Sequence, residues 1–244
     1  MRYILRKFKY QVIHMALFAH VGFFSLVIAA FALYTGEAYS WLLLTVFSTY
    51  VLVIGVSVGM HRLFCHRSYK TTRAWEWFLG IAGTLAVLGS PAQWALIHSA
   101  HHRYSDSAWD PHVSHWTYLL WRRYNLKGLR RAGQVTMFRD DMHRFLHTYN
   151  LALILLTCLT LGLIDYRALL FGYLVPLGVI HTLGGIHQVI SHGGGRPRNI
   201  PILEALLPTI FGEWYHRNHH DDPRAARFGR YDLGYLVIKL IQKH

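Results

Sequence analysis

Five stretches of the chain run for about 20 residues or more without Asp, Glu, Lys or Arg: 10–36, 38–61, 77–102, 145–164 and 168–195. A helix rises about 1.5 Å per residue and a bilayer's hydrocarbon core is about 30 Å thick, so stretches of this length can cross. The pattern predicts an all-α membrane protein, one domain over 1–244. Four transmembrane helices are expected at about 11–34, 41–60, 146–164 and 168–187. The first is read as a retained helix. Its apolar run is longer than that of a signal peptide, and no clear small-residue cleavage site accompanies it.

The stretch 77–102 does not fit the same reading. It contains Gly80, Gly83, Gly89 and Pro91, which weaken a continuous helix. One crossing there would also carry 103–144, with its eight Lys and Arg, to the far side. Segment 77–97 is therefore expected to dip into the membrane or lie along the interface without crossing. Irregular backbone at that depth must be buried in protein.

Charge then orients the helices. Basic residues collect on the cytosolic side of membrane proteins. With four crossings, 24 of the 25 Lys and Arg residues share one side, Arg167 being the exception. Both termini are then cytosolic, as in a multi-pass protein of a bacterial inner membrane or its equivalent. The net charge of +13 would suggest nucleic acid in a soluble protein. Here 53% of residues are hydrophobic and only 15% charged, mean hydropathy is +0.22, and the basic residues sit between apolar spans. No nucleic-acid partner is expected. The basic run 121–131 could receive acidic groups of a substrate, a redox partner or lipid headgroups, but orientation explains it better. The two cysteines, Cys65 and Cys158, are not expected to pair, which suits a reducing compartment.

The four-crossing map puts three histidine clusters on that cytosolic face, in a helical cap. They are His61-x4-His66, His98-x2-His101-His102 and His216-x2-His219-His220, with His192 standing alone. Neutral imidazole is a common ligand of transition metals. Nine such residues are too many for one tetrahedral ion. They suggest two ions. Residues at i, i+3 and i+4 share a helix face, so each trio is expected to meet a metal pair from one side. His61 and His66 lie about 140° apart on an ideal α-helix, which places His66 in the turn beyond. Carboxylate-rich di-iron bundles need two Glu-x-x-His motifs; only Glu213-Trp-Tyr-His216 matches here. A purely histidine-ligated pair remains, with iron the best candidate. Asp106, Asp110, Glu213, Asp221 and Asp222 are candidates to orient the imidazoles, and His187 lies close enough to assist.

In combination these motifs resemble the integral-membrane fatty acyl desaturases, in particular the stearoyl-type, delta-9 branch. The strings that carry the resemblance are Gly59-Met-His-Arg-Leu-Phe-Cys-His-Arg-Ser-Tyr-Lys70, Trp94-Ala-Leu-Ile-His-Ser-Ala-His-His-Arg-Tyr-Ser105, Asp110-Pro-His112 and Gly212-Glu-Trp-Tyr-His-Arg-Asn-His-His220. It covers nearly the whole chain, and the short length matches a compact, bacterial-type member. The resemblance implies that His61, His66, His98, His101, His102, His192, His216, His219 and His220 hold two Fe ions. It implies O2 as co-substrate and a CoA- or lipid-linked saturated acyl chain as substrate. Electrons would come from a small carrier such as ferredoxin or cytochrome b5. Trp94, one turn before His98, is expected to line the acyl tunnel.

The chain departs from the branch at three places. Gln188 stands where Asn is usual four residues before the lone histidine; its longer arm could hold a metal-bound water. Trp214 and Arg217 replace the common Gly and Asn of the third motif. Leu96-Ile97 replaces the basic–acidic pair found before the second motif in animal acyl-CoA enzymes. Three other readings share some of these features. A histidine-rich di-iron hydroxylase of alkanes, sterols or carotenoids would use the same ligands. A haem-binding electron carrier would need its histidine pairs inside the spans. A metal transporter would need polar residues through the bilayer centre, and the second and third helices offer almost none.

Overall fold

The computed structural model describes residues 17, 20–112, 136–206 and 211–243. These residues are helical throughout, with no named strand among them. Two isolated bridges, Thr71 to Gln242 and Asn199 to Tyr215, tie segments together. The helices are α1 (His20–Tyr34), α2 (Glu37–Cys65), α3 (Arg73–Leu85), α4 (Pro91–Tyr104), α5 (Asp141–Thr148), α6 (Asn150–Ile164), α7 (Tyr166–Ser191), α8 (Pro201–Leu206), α9 (His216–Asp221) and α10 (Leu233–Ile241).

α2 and α7, of 29 and 26 residues, are each long and apolar enough to cross a membrane. α5 and α6 count as a third span only if taken together across a 62° bend at Tyr149. The predicted third helix therefore begins as two. α1 is shorter as described; the rest of the predicted 11–34 helix, residue 17 aside, lies outside the described residues, as does the basic run 121–131. Large apolar side chains face outward in quantity: Phe23, Phe24 and Phe31 on α1, Leu43 and Phe47 on α2, Leu155, Leu159 and Leu163 on α6. A water-facing surface rarely carries so much apolar area, whereas lipid requires it. The protein is an integral membrane protein.

Two close helix approaches set the packing. A Cβ on Gly22 of α1 would stand 2.7 Å from the backbone of Gly178 on α7. A Cβ on Gly55 of α2 would stand 2.3 Å from the backbone of Gly83 on α3. Small residues let helix backbones meet at such distances. Gly80 and Gly83 thus serve packing inside an intact α3 and do not break it. The break falls later, where Val87 and Gly89 take φ of 57° and 92°. Ser90 then caps α4 by accepting from Gln93 N, Gln93 Oε1 accepts from Ser90 N in return, and Pro91 opens the helix. Stretch 77–102 is consequently two helices joined by a turn.

α2 and α7 run parallel. Near their starts the Thr45 hydroxyl donates to Phe171 O at 2.9 Å, and Trp41 stacks on Phe171. Their finishing ends meet at the histidine clusters. α10 closes that end, burying Ile238 and Ile241. The Thr71 hydroxyl donates to Ile241 O, and Lys243 N donates to Lys70 O.

Candidate metal centre

The last twelve residues of α2, Ile54–Cys65, widen from α to π hydrogen bonding. The pattern closes with His66 N donating to His61 O at 3.0 Å. In that wider turn, residues five apart stack on one face. His61 and His66 therefore stand with ring centroids 4.9 Å apart, where an ideal α-helix would splay them. π segments are frequent at functional sites.

α4 and α9 supply the two trios, but neither trio acts as a unit. His98 and His102, four apart on α4, join His61, His66 and His219 of α9 in one group. His216 and His220, four apart on α9, join His101 of α4 and His192 in the other. Each helix thus gives its i, i+4 pair to one group and its remaining histidine to the other. Within each group the candidate ligand nitrogens lie within 4.8 Å of one another.

The spacing fits metal ions. His219 Nε2 stands 2.9 Å from His61 Nε2, 2.8 Å from His102 Nε2 and 3.4 Å from His98 Nε2. One ring N–H serves one partner, so hydrogen bonds alone cannot satisfy this convergence. Two nitrogens bound about 2.1 Å from one ion, at right angles, stand about 3.0 Å apart. In the second group, His216 Nε2 is 2.6 Å from His192 Nε2 and 3.1 Å from His220 Nε2. Among the described residues the buried His66 Nε2 has no hydrogen-bond partner, which suits a metal ligand.

Protonation favours the same reading. Burial, then repulsion by His61, lowers His66 to about 2. Burial, then neighbouring imidazoles, lowers His220 to about 2 and pushes His98, His101, His102, His216 and His219 well below their ordinary range. These rings are neutral donors at physiological pH, the form a metal needs.

Three carboxylates aim the rings. His101 Nδ1 donates to Asp110 at 2.9 Å, His192 Nδ1 to Asp106 at 3.2 Å, and His61 Nδ1 to Glu213 at 3.0 Å. With Nδ1–H so engaged, Nε2 presents its lone pair inward. Burial would raise the Glu213 carboxyl, but His61, Arg62 and the Ser57 hydroxyl together hold it down at about 2. Asp221 and Asp222 do not take part: Asp221 faces Arg217 on the surface, and Asp222 accepts from Arg224 N.

No family model matches the chain. Among curated proteins it is similar to the sn-1 stearoyl-lipid 9-desaturase of Anabaena variabilis, with 29% identity over 208 residues, 78% of this chain and 75% of that one. It is also 29% identical over 243 residues to the sn-1 stearoyl-lipid 9-desaturase of Synechocystis, covering 90% of this chain and 75% of that one. The acyl-CoA desaturase 1 of Saccharomyces cerevisiae is 30% identical over 217 residues, 78% of this chain but 42% of its own length. The chain belongs to the fatty acyl desaturase family.

Membership makes the protein an oxidoreductase. The desaturase has a cavity of about 160 Å³ leading to the histidines, with apolar walls of Val53, Val56, Leu88, Ile180 and Leu183. His98, His216 and Glu213 line its polar end. Trp94 also lines it and stacks on His98 at 4.5 Å and 18°. Gln188 is buried on the wall, its Nε2 without a hydrogen-bond partner among the described residues. His187 donates from Nε2 to Glu213 O at 2.8 Å. Two residues that the sequence pattern gave no place at the site also belong here. His112 lines the cavity, with its ring 4.8 Å from that of His101. Arg62 is fully buried, donating to Asp232 at 3.0 Å and to Phe211 O at 2.6 Å beneath Glu213. The signal for Arg62 was its place beside His61 at the end of an apolar helix, where a charge needs a partner.

Proposed function

We propose that this enzyme is a delta-9-type acyl desaturase that forms a cis double bond in a saturated chain, with the nine histidines as ligands of two irons. The observation that carries the reading is the apolar cavity ending on two groups of converging imidazoles. The irons would supply oxidising power, drawn from O2, for unactivated methylenes. Two hydrogens leave adjacent carbons; O2 receives them with two electrons and two protons from a carrier such as ferredoxin or cytochrome b5, and two waters result. The relatives named stearoyl-lipid and acyl-CoA desaturases support an acyl substrate entering from the membrane.

The chain's own groups perform the remaining work. Val53, Leu88, Ile180 and Leu183 exclude water and hold methylenes in one register, which selects the carbons that react. Trp94 braces His98. Asp106, Asp110 and Glu213 keep their histidines in one tautomer. Gln188 reaches toward the same space from the wall.

The reading includes four crossings, with both termini and the centre on the cytosolic side and segment 77–97 as a non-crossing α3–α4 turn. The parallel course of α2 and α7 supports an odd number of crossings between them, and α6 supplies one.

Expression in a host lacking its own desaturase tests the function. New monounsaturated chains in membrane lipids, seen by gas chromatography and lost in His101→Ala, are the expected result. A hydroxylated chain would shift the reading to a hydroxylase; unchanged lipids with an active electron supply would end it.

A further inference from the structure

α7 contains a glycine that its packing does not explain. Gly184 sits in the interior of a helix, where glycine is less favourable than alanine. Gly178 on the same helix has a reason, since a Cβ there would meet Gly22 O at 2.3 Å. At Gly184 a Cβ would meet no described atom within 4 Å, and its φ is not in the left-handed region. Backbone geometry and helix contacts would both accept a side chain.

Gly184 is exposed and is one of the residues that line the cavity, so the open space beside it adjoins the cavity. Ile180, Gly184, His187 and Gln188 fall at i, i+4, i+7 and i+8 on α7, and all four line it. Gly184 stands one turn, about 6 Å along the axis, before Gln188. It lies between the apolar walls and the end formed by His98 and His216.

We propose that Gly184 sets the bore of the acyl channel: the missing side chain is the room through which the substrate's methylenes pass toward the metal centre. This rests on the desaturase reading and adds a residue that determines which chains fit. A methyl at 184 narrows the passage, and a larger side chain plugs it. Pocket discrimination per methylene is about 10-fold or more, so Gly184→Leu is expected to cut conversion of an 18-carbon chain by at least about that factor and to shift products toward shorter chains.

The test uses the full-length protein with Gly184→Ala and Gly184→Leu. Both are expected to keep parental iron content, and Gly184→Ala to raise the thermal midpoint, since alanine is the better helix former. A stearoyl chain bearing a diazirine near its middle is the binding probe, with cross-links mapped by mass spectrometry. Parental protein is expected to cross-link on α7 near 184, Gly184→Ala less, and Gly184→Leu least, without any turnover being needed. Equal cross-linking and an unchanged product distribution in both variants would overturn the proposal. Should Gly184→Leu fail to fold, Gly184→Ala decides alone. If the parental protein cross-links as described yet forms no unsaturated chains, the desaturase reading fails and the channel assignment stands.

Discussion

Asp110 shows what a single residue does for the centre. Its carboxylate accepts His101 Nδ1 while also receiving Asp106 N and His112 N. The same loop turns Asp106, at a φ of 58°, toward His192. Five acids were plausible partners from their proximity in sequence, yet only Asp106, Asp110 and Glu213 reach a ring. The nine ligand candidates themselves were legible, because metal-ligand spacing along a helix is a sequence property. Which acid meets which imidazole depends on loop backbone, and spacing does not encode it. Loss of such a partner commonly weakens metal binding about 10–100-fold. Asp110→Asn is therefore expected to lose iron to a competing chelator at lower concentrations than the parent, by about that factor. Asp221→Asn, on the surface, should titrate like the parent. Equal iron retention in both variants would show that Asp110 does not support the site.

At the level of elements, the sequence pattern located the helices better than their internal geometry. Apolar runs marked α2 and α7, but nothing in them announced that α2 relaxes to π bonding over Ile54–Cys65. That relaxation decides whether His61 and His66 share a face. Glycines misled in the opposite way. Gly83 looks like a helix breaker, yet it admits Met60 and the backbone of Gly55. Gly83→Ala should thus destabilise by about 1–3 kcal/mol through overpacking, the reverse sign from Gly184→Ala, as thermal unfolding in detergent would reveal. The α5 terminus offers a pH-dependent counterpart. Asp140 caps it by accepting from Met142 N and His143 N, and it pairs with Arg73 at 2.9 Å. The Arg73 guanidinium holds the Asp140 carboxyl below its ordinary value. A carboxyl lowered on folding stabilises above its unfolded pKa, and that stability is lost as pH falls through the folded one. Asp140→Ala should cost about 1 kcal/mol at pH 7, and the gap from the parent should narrow below about pH 4. A constant difference down to pH 3 would remove the ionic part of this account.

For the whole molecule, the geometric question is how the chain gets from the end of α2 to the start of α7. The two helices run parallel, with Thr45 beside Phe171 at one end and the histidines at the other. Leaving α2 at the metal centre, the chain must return to the opposite face before Tyr166. α6, with Leu155, Leu159 and Leu163 turned outward, is the apolar helix that ends there. α3 and α4 contribute no net crossing if their turn at Val87–Ser90 leaves both ends on the centre's side. Charge agrees: segments 35–40 and 165–167, at the starts of α2 and α7, hold one basic residue, Arg167, of the chain's 25. The proposed topology therefore puts Ser40 and Tyr166 outside, and Arg196 and Lys243 inside. Single cysteines at these four positions, read above the background of Cys65 and Cys158, test it with a membrane-impermeant maleimide on intact cells. Ser40→Cys and Tyr166→Cys should label at once, and Arg196→Cys and Lys243→Cys only after permeabilisation. If Tyr166→Cys and Arg196→Cys label alike, α7 does not cross, and the inner-face location of the metal centre falls with it.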